Sequence, residues 1–310
     1  MHPAATRWLP VLLQGLVLAL FVWAIEHWWG FDRLLAPWAQ VPLALVMVAV
    51  LTQLISYALR ALRIYLAEPR IARGLGGWAR CLQLALLNNA LNLLLPARTG
   101  EASFPLLMQR FFGVPLAEGA GTLLWLRLLD LNVLGVLALL TFAPSVLPLP
   151  RGVWLSLAVL GFFAPLIMPV LHRLLSRRLA QRAGKGSALA RKLLVSVPAQ
   201  MRQVWLDLAL SWAVWGFKLA GFTAVLAALG QLDAVAALLG VIGGDLSTVL
   251  PLHTPGGFGT YEAGVIAFAS PLAPPTPALL AAAVNLHLLV LGIALSAGAL
   301  AWLAGLGKKS

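Results

Sequence analysis

Charge is scarce in this chain, and acid is scarcer than base. Only 10% of the residues are Asp, Glu, Lys or Arg, while 61% are hydrophobic. With a mean hydropathy of +0.91, that balance excludes an ordinary soluble domain. Ten acids face 22 Lys and Arg, giving a net charge of +12. The basic residues sit between apolar runs, where orientation in a membrane accounts for them, so no nucleic-acid partner is expected. The single cysteine, Cys81, excludes a disulfide framework and a cysteine-rich metal site. No small-x-small cleavage site follows the first apolar run, residues 8–28 behind Arg7, so that run is read as a retained span, not a signal peptide. No His-Asp-Ser set or acidic metal cluster stands at recognisable spacing, and neither an enzyme nor a cofactor or metal is expected. There is also no ring of like charges of the kind that selects small ions.

What is abundant is apolar sequence. Segments of roughly 20 residues, enough to cross ~30 Å of hydrocarbon, fall near 8–28, 41–62, 119–142, 152–172, 204–229 and 278–303. Two more regions, 82–112 and 234–271, are apolar at both ends and broken by Pro and Gly in the middle, as a re-entrant hairpin would be. Placing Arg7, Arg60, Arg63, Arg70, Arg73, Arg80, Arg110, the stretch Arg173 to Arg202, Lys308 and Lys309 on the inner face leaves only Arg33 and Arg151 outside. This satisfies the positive-inside rule with both termini cytoplasmic. The expected fold is therefore an all-α polytopic membrane protein, residues 1–310 as one membrane domain. It has six full transmembrane helices plus two opposed re-entrant helical hairpins in an inverted repeat. Repeat one spans 8–142 with hairpin 82–112, and repeat two spans 152–303 with hairpin 234–271.

Residues 173–203 are the one long polar insertion, too short for a catalytic domain. They read either as amphipathic helices broken near Gly184-Lys185-Gly186 and lying on anionic inner-leaflet lipid, or as a plain positive-inside loop. Trp8, Trp28, Trp29, Trp38, Trp154 and Trp205 stand near span ends and read as interfacial anchors.

The two breaks share a motif. Leu95-Pro96-Ala97-Arg98-Thr99-Gly100-Glu101 is matched about half a chain later by Leu250-Pro251-Leu252-His253-Thr254-Pro255-Gly256-Gly257, with a Thr three residues after the Pro in each. Such breaks are costly in lipid unless protein or a wet cavity surrounds them, and paired broken segments in corresponding halves point to a transport site. Buried charge in hydrocarbon costs roughly 2.5–3.5 kcal/mol or more. Arg98, Glu101, Arg127, Asp130, Lys218, Asp245, His253, Glu262 and His287 are therefore expected to converge on a shared polar interior.

Arg98 lies where a broken helix exposes N–H groups, so guanidinium and backbone together suit a phosphate or carboxylate. Arg127 and Asp130, three apart on one helix, form either a self-neutralised pair or part of the site. Thr254, Gly256, Gly257, Gly259 and Tyr261 surround the second break, whose glycines let backbone approach a ligand. The Gly-x-Gly spacing there is no dinucleotide fingerprint, because no βαβ unit accompanies it. Glu262 either stabilises the first turn of the returning helix or couples to protons or a cation. His253 and His287 read as satisfied core residues. Asn88, Asn89 and Asn92 before the first break, and Asp245, Ser247 and Thr248 before the second, either cap freed backbone or line a substrate route. The substrate-binding set is thus Arg98, Thr99, Glu101, Arg127, Asp130, Thr254, Gly256, Gly257, Gly259, Tyr261 and Glu262, with Asn88, Asn92, Lys218, Asp245 and His253 secondary.

The run Asn92 to Glu101, with Leu-Pro, a basic residue, Gly and Glu, and the later Leu250-Pro251, Pro255-Gly256-Gly257-Phe258-Gly259 and Glu262 resemble the flippase-like family named for the transmembrane region of lysylphosphatidylglycerol synthase, found also in the multiple peptide resistance factor. Ala97 and Thr99 depart from the Gly or Ser that the family more often has beside the basic residue. The resemblance, over about residues 10–303, implies a membrane-embedded lipid translocase. It does not bring lysyl transfer with it, because the aminoacyl-transfer domain of the synthases has no counterpart in this sequence. The opposed hairpins also resemble the DedA-type membrane proteins in architecture alone. The leading expectation is a flippase for an amphiphile with an anionic head group, a phospholipid or polyprenyl-phosphate-linked lipid, in a bacterial-type cytoplasmic membrane. The alternatives are a membrane enzyme acting on a lipid head group and a non-transporting partner of a lipid-modifying complex.

Overall fold

A computed structural model describes residues 30–248 and 255–306, with Trp23, Glu26 and His27. The side chains of residues 96–98, 255 and 306 lie outside the described set, as do the rest of the first expected span and both His253 and Thr254. Among the described residues the fold is all helix, without a strand. The main helices are α1 (Leu43–Ala67), α2 (Leu75–Leu94), α3 (Ser103–Phe112), α4 (Leu116–Thr141), α5 (Arg151–Phe163), α6 (Met168–Ala180), α7 (Lys185–Val195), α8 (Met201–Gly230), α9 (Ala234–Ser247), α10 (Thr260–Ala269) and α11 (Pro277–Leu306).

Local chemistry sets the boundaries. Pro42, Pro115 and Pro150 immediately precede α1, α4 and α5, where a missing N–H costs nothing. The Asp233 carboxylate accepts from the N–H groups of Val235 and Ala236 to open α9, as an N-cap should. Gly113 closes α3 in the left-handed region at φ 67.

Five helical stretches are long and apolar enough to cross a membrane: Leu43–Ala67, Leu116–Val146, Arg151–Ala180, Met201–Gly230 and Pro277–Gly305. They match five of the six expected spans. The two broken regions each hold two helices packed on one another: α2 and α3 on either side of the 3-10 turn Pro96–Ala102, and α9 and α10, the latter preceded by the 3-10 turn Pro255–Gly257. The α9–α10 approach is close because both helices use glycine at the contact. A Cβ on Gly243 would strike the Gly264 carbonyl, and one on Gly264 the Gly243 carbonyl.

Packing between the halves is reciprocal. The helices α1 and α8, each the second expected span of its half, lie against one another. The first hairpin helix α2 packs on α11, the last span of the second half, while α9 packs on α4, the last span of the first.

The bundle is apolar outside and carries a polar layer within an otherwise apolar interior. Leu43, Met47, Leu51 and Leu54 of α1 are exposed, whereas Gln53, Ser56 and Arg63 of the same helix are buried. Two apolar cores flank the polar layer. On α4 the seam falls between Leu129 and Val133, at Asp130; on α8 it falls between Leu208 and Val214, at Ser211.

Several expectations need correction. Arg60 and Arg63 do not belong to the inner surface, because α1 runs on to Ala67 and carries both guanidiniums within the bundle. Trp154 is buried, and the Trp38 indole donates to Asn285 Oδ1 at 2.8 Å, so neither is free to anchor at an interface. The basic insertion is two helices, α6 and α7, with the break at residues 181–184. Of the two, α7 docks on α4, where Leu193 backbone covers Gly121 and Ser196 Oγ donates to the Glu118 carbonyl at 2.8 Å.

Candidate functional site

The polar layer draws on α1, α4, α8, α9 and the first break. Arg63 on α1 donates from Nη1 to Asp130 Oδ1 at 3.1 Å and to Ser211 Oγ at 2.6 Å. Asp130 Oδ1 also accepts from the Trp215 indole at 3.1 Å, and its Oδ2 lies 3.5 Å from Arg127 Nη1. Arg127 Nε is 2.9 Å from Glu101 Oε1 in the first break, an ion pair whose N–H does not point at the oxygen. On the other side Lys218 Nζ donates to Asp245 Oδ1 at 2.6 Å. Such pairing offsets part of the cost of taking both groups out of water.

The self-neutralised Arg127–Asp130 pair is thus the minor contact. Asp130 is held chiefly by Arg63 and Trp215, which leaves Arg127 to bridge from the second described span to the first break.

Each break is stitched from within. Asn88 Nδ2 donates to Ser103 Oγ at 2.9 Å and to the Gly100 carbonyl at 3.4 Å, so it holds the turn between α2 and α3. In the second break Gly256, Gly257 and Gly259 take φ values of 68, 78 and 82, a region that other residues enter at a cost. Glu262 Oε2 accepts from the Gly259 N–H at 2.7 Å, and its Oε1 lies 2.7 Å from His287 Nδ1. Glu262 therefore both caps α10 and ties it to α11. The His287 ring stacks on Tyr261 with centroids 4.4 Å apart and is buried, a satisfied core residue. Ser247 and Thr248 donate to carbonyls of their own helix, Gly244 and Asp245, at 2.7 Å each.

Both breaks and most of these charges meet at one interior cavity of about 110 Å³, whose wall includes Asn92, Glu101, Arg127, Asp130, Lys218, Asp245, Gly256, Tyr261 and His287. A smaller pocket of about 50 Å³ shares Asn92, Arg127 and Asp130 and adds Asn88. Arg98 stands in the turn Pro96–Ala102 beside Thr99; its side chain, with His253 and Thr254, lies outside the described residues. Gly257, Gly259 and Glu262 belong to the second break without lining the cavity.

Sequence reading missed Gln53, Tyr57, Arg60 and Trp215, which line the same cavity. The signal was present: Gln53, Tyr57 and Arg60 recur at helical spacing on one face of α1. A span drawn to end at residue 62 hid it, because Arg60 and Arg63 were then assigned to the membrane surface.

A larger cavity lies elsewhere. About 770 Å³ lies at the end of the bundle where α1, α4, α6, α7 and α8 converge, lined by Arg70, Glu118, His172, Arg191 and Asp207. Arg70 Nη2 sits 2.6 Å from Glu118 Oε2, a contact that raises the guanidinium above its ordinary pKa. Asp207 accepts from the Trp125 indole and from Gln203 at 2.8 Å each.

A membrane-family model, the lysylphosphatidylglycerol synthase TM region, matches residues 11–298. The chain belongs to that family. The match takes in both breaks and every helix lining the central cavity, so this family member is an integral membrane protein whose polar interior falls inside the shared region. No curated protein and no solved structure matches it.

Proposed function

We propose that this chain is a flippase. It moves an amphiphile with an anionic head group, a phospholipid or a polyprenyl-phosphate-linked lipid, across a bacterial-type cytoplasmic membrane without altering it chemically. Family membership points to a lipid-related function in the membrane. One observation carries the finer reading: two helix breaks, one from each half, bound a single charged cavity inside an apolar-faced bundle. Broken helices meeting at a buried polar site suit a transporter, and the acyl chains of such a substrate would stay in lipid.

The reciprocal packing of each hairpin on the other half's last span supports alternating access by one half rocking on the other. Glu101 and Glu262 each tie a break to a spanning helix, the places where opening or coupling to protons or a cation would act. Arg70 and the basic helices α6 and α7 gather at one end, while Gln231 Nε2 donates to Gln40 Oε1 at the other. By the positive-inside rule the first end is cytoplasmic, with exposed arginines of α6 set against anionic lipid.

The test is transbilayer movement in liposomes across labelled anionic, zwitterionic and polyprenyl-phosphate lipids, with Arg98→Ala and Arg127→Ala alongside. The expected result is protein-dependent movement of an anionic lipid that both variants impair. Equal rates with and without protein, under varied pH and ion gradients, would overturn the reading.

A further inference from the structure

The charges of the interior are not all matched. Arg63 and Arg127 share Asp130, Lys218 closes on Asp245, and His287 meets Glu262. Arg60 does none of this. Among the described residues it makes no ion pair, and its Nε is buried without a hydrogen-bond partner. Its guanidinium lies against the Trp215 ring, 5.5 Å from the centroid, the same ring that Lys218 Nζ approaches at 4.9 Å. Asp130 is the acid whose field reaches Arg60 most strongly, and its oxygens are already taken.

Five more buried atoms on the same cavity wall also lack hydrogen-bond partners: Tyr261 Oη, Arg127 Nε, Gln53 Oε1, Asn92 Oδ1 and Asp245 Oδ2, although Arg127 is ion-paired to Glu101 and Asp130. The wall therefore offers three unmet donors, Arg60 Nε, Arg127 Nε and Tyr261 Oη, and three unmet acceptors; of the two guanidiniums only that of Arg60 has no ion pair among the described residues. Water can satisfy the neutral atoms but does not neutralise the guanidinium, which is half-buried with no acid of its own in contact, and such a cation favours an anionic partner. At about 110 Å³ the cavity holds on the order of four waters at ~30 Å³ each, enough for a phosphoryl group and a few substituent atoms.

We propose that Arg60 is the residue that seats the head group: it binds a phosphoryl oxyanion against the Trp215 face, with Tyr261 Oη as second donor. Gln53, Asn92 and Asp245 then accept from N–H or O–H groups carried by the substituent on that phosphate. The substrate class is a phosphoryl amphiphile whose head brings its own hydrogen-bond donors, as distinct from a fully methylated ammonium head. A guanidinium suits this because it pairs with phosphate in a planar, directional way. The proposal rests on the interior being a head-group site, and not on the lipid being moved.

The experiment is calorimetric titration of the purified full chain in nonionic detergent with dihexanoyl phosphatidylethanolamine, dihexanoyl phosphatidylcholine and inorganic phosphate. The two lipids differ only in whether the head nitrogen bears hydrogens or methyl groups. Wild type should bind the ethanolamine lipid at least tenfold tighter than the choline lipid. Arg60→Gln should weaken the ethanolamine lipid by about 10- to 100-fold, the range for a hydrogen bond to a charged group, with Arg60→Lys recovering part. Undiminished binding in Arg60→Gln, or equal affinity for the two lipids, overturns the proposal. If the Arg60 variants do not fold, Tyr261→Phe decides: it keeps the stack on His287, so weaker binding upholds the seat and unchanged binding sinks it. Inorganic phosphate bound as tightly as the lipid would make the site one for free phosphate and refute the lipid class. Intact, Arg60-dependent lipid binding beside a failed vesicle assay would refute transport alone.

Discussion

Replacing Asp130 with Asn should be among the most damaging single changes in the interior. The side chain is 5% exposed and its partner Arg63 3%. Asparagine keeps the shape and one oxygen for the Trp215 indole, but it removes the charge that Arg63 and Arg127 share. Removing one partner of a buried ion pair costs about 3–5 kcal/mol, because the other charge stays behind. At about 2 °C per kcal/mol, the lower end for larger chains, Tm should fall by about 6–10 °C. Glu101→Gln is the control. Its pair with Arg127 is 24% and 30% exposed, so the loss should stay near 1 kcal/mol, or about 2 °C. The readout is built in: Cys81 is the chain's one cysteine and is fully buried, so a thiol-reactive dye reports unfolding. Combining Asp130→Asn with Arg63→Gln should cost clearly less than the sum of the two. A melting temperature for Asp130→Asn within 2 °C of wild type, or a strictly additive double variant, would refute the account of Asp130 as the hub of the layer.

Two other expectations concern packing and orientation. Gly264→Leu should abolish monodisperse folded protein in size-exclusion chromatography, because even a Cβ meets the Gly243 carbonyl and backbone cannot yield as a side chain can; recovery of well-folded protein would contradict the close α9–α10 contact. In a Cys81→Ser background, Arg73→Cys and Ser187→Cys should react with an impermeant maleimide from one side of the membrane and Gln231→Cys from the other. Labelling of all three from one side would reject the end-to-end assignment of the bundle.

Much of this was legible in the sequence, and the reasons differ by element. Spans such as Leu116–Val146 and Pro277–Gly305 declared themselves because long apolar runs have one stable form in lipid. The breaks declared themselves through Pro and Gly, and their convergence followed from the cost of isolated charge. What did not follow was partner choice. Arg127 and Asp130 are three apart and looked self-sufficient, yet Asp130 is held by Arg63, 67 residues earlier, and by Trp215, 85 residues later. Periodicity places a side chain on a face but not against a particular neighbour. Trp154 misled in a related way: an indole at the end of an apolar run suits both an interface and a helix contact, and only the packing of α5 on α4 separates the two.

The reciprocal packing also sets a timetable for biosynthesis. The wall that covers α2 is α11, which begins at Pro277, while the first hairpin is complete at Phe112. A ribosome adding about 5–20 residues per second needs on the order of ten to thirty seconds to bridge that interval. Throughout it Asn88 and Asn89, joined early by Arg127, stand without the last helix of their enclosure. The first half is thus born unfinished, and the polar layer can close only when the final span arrives.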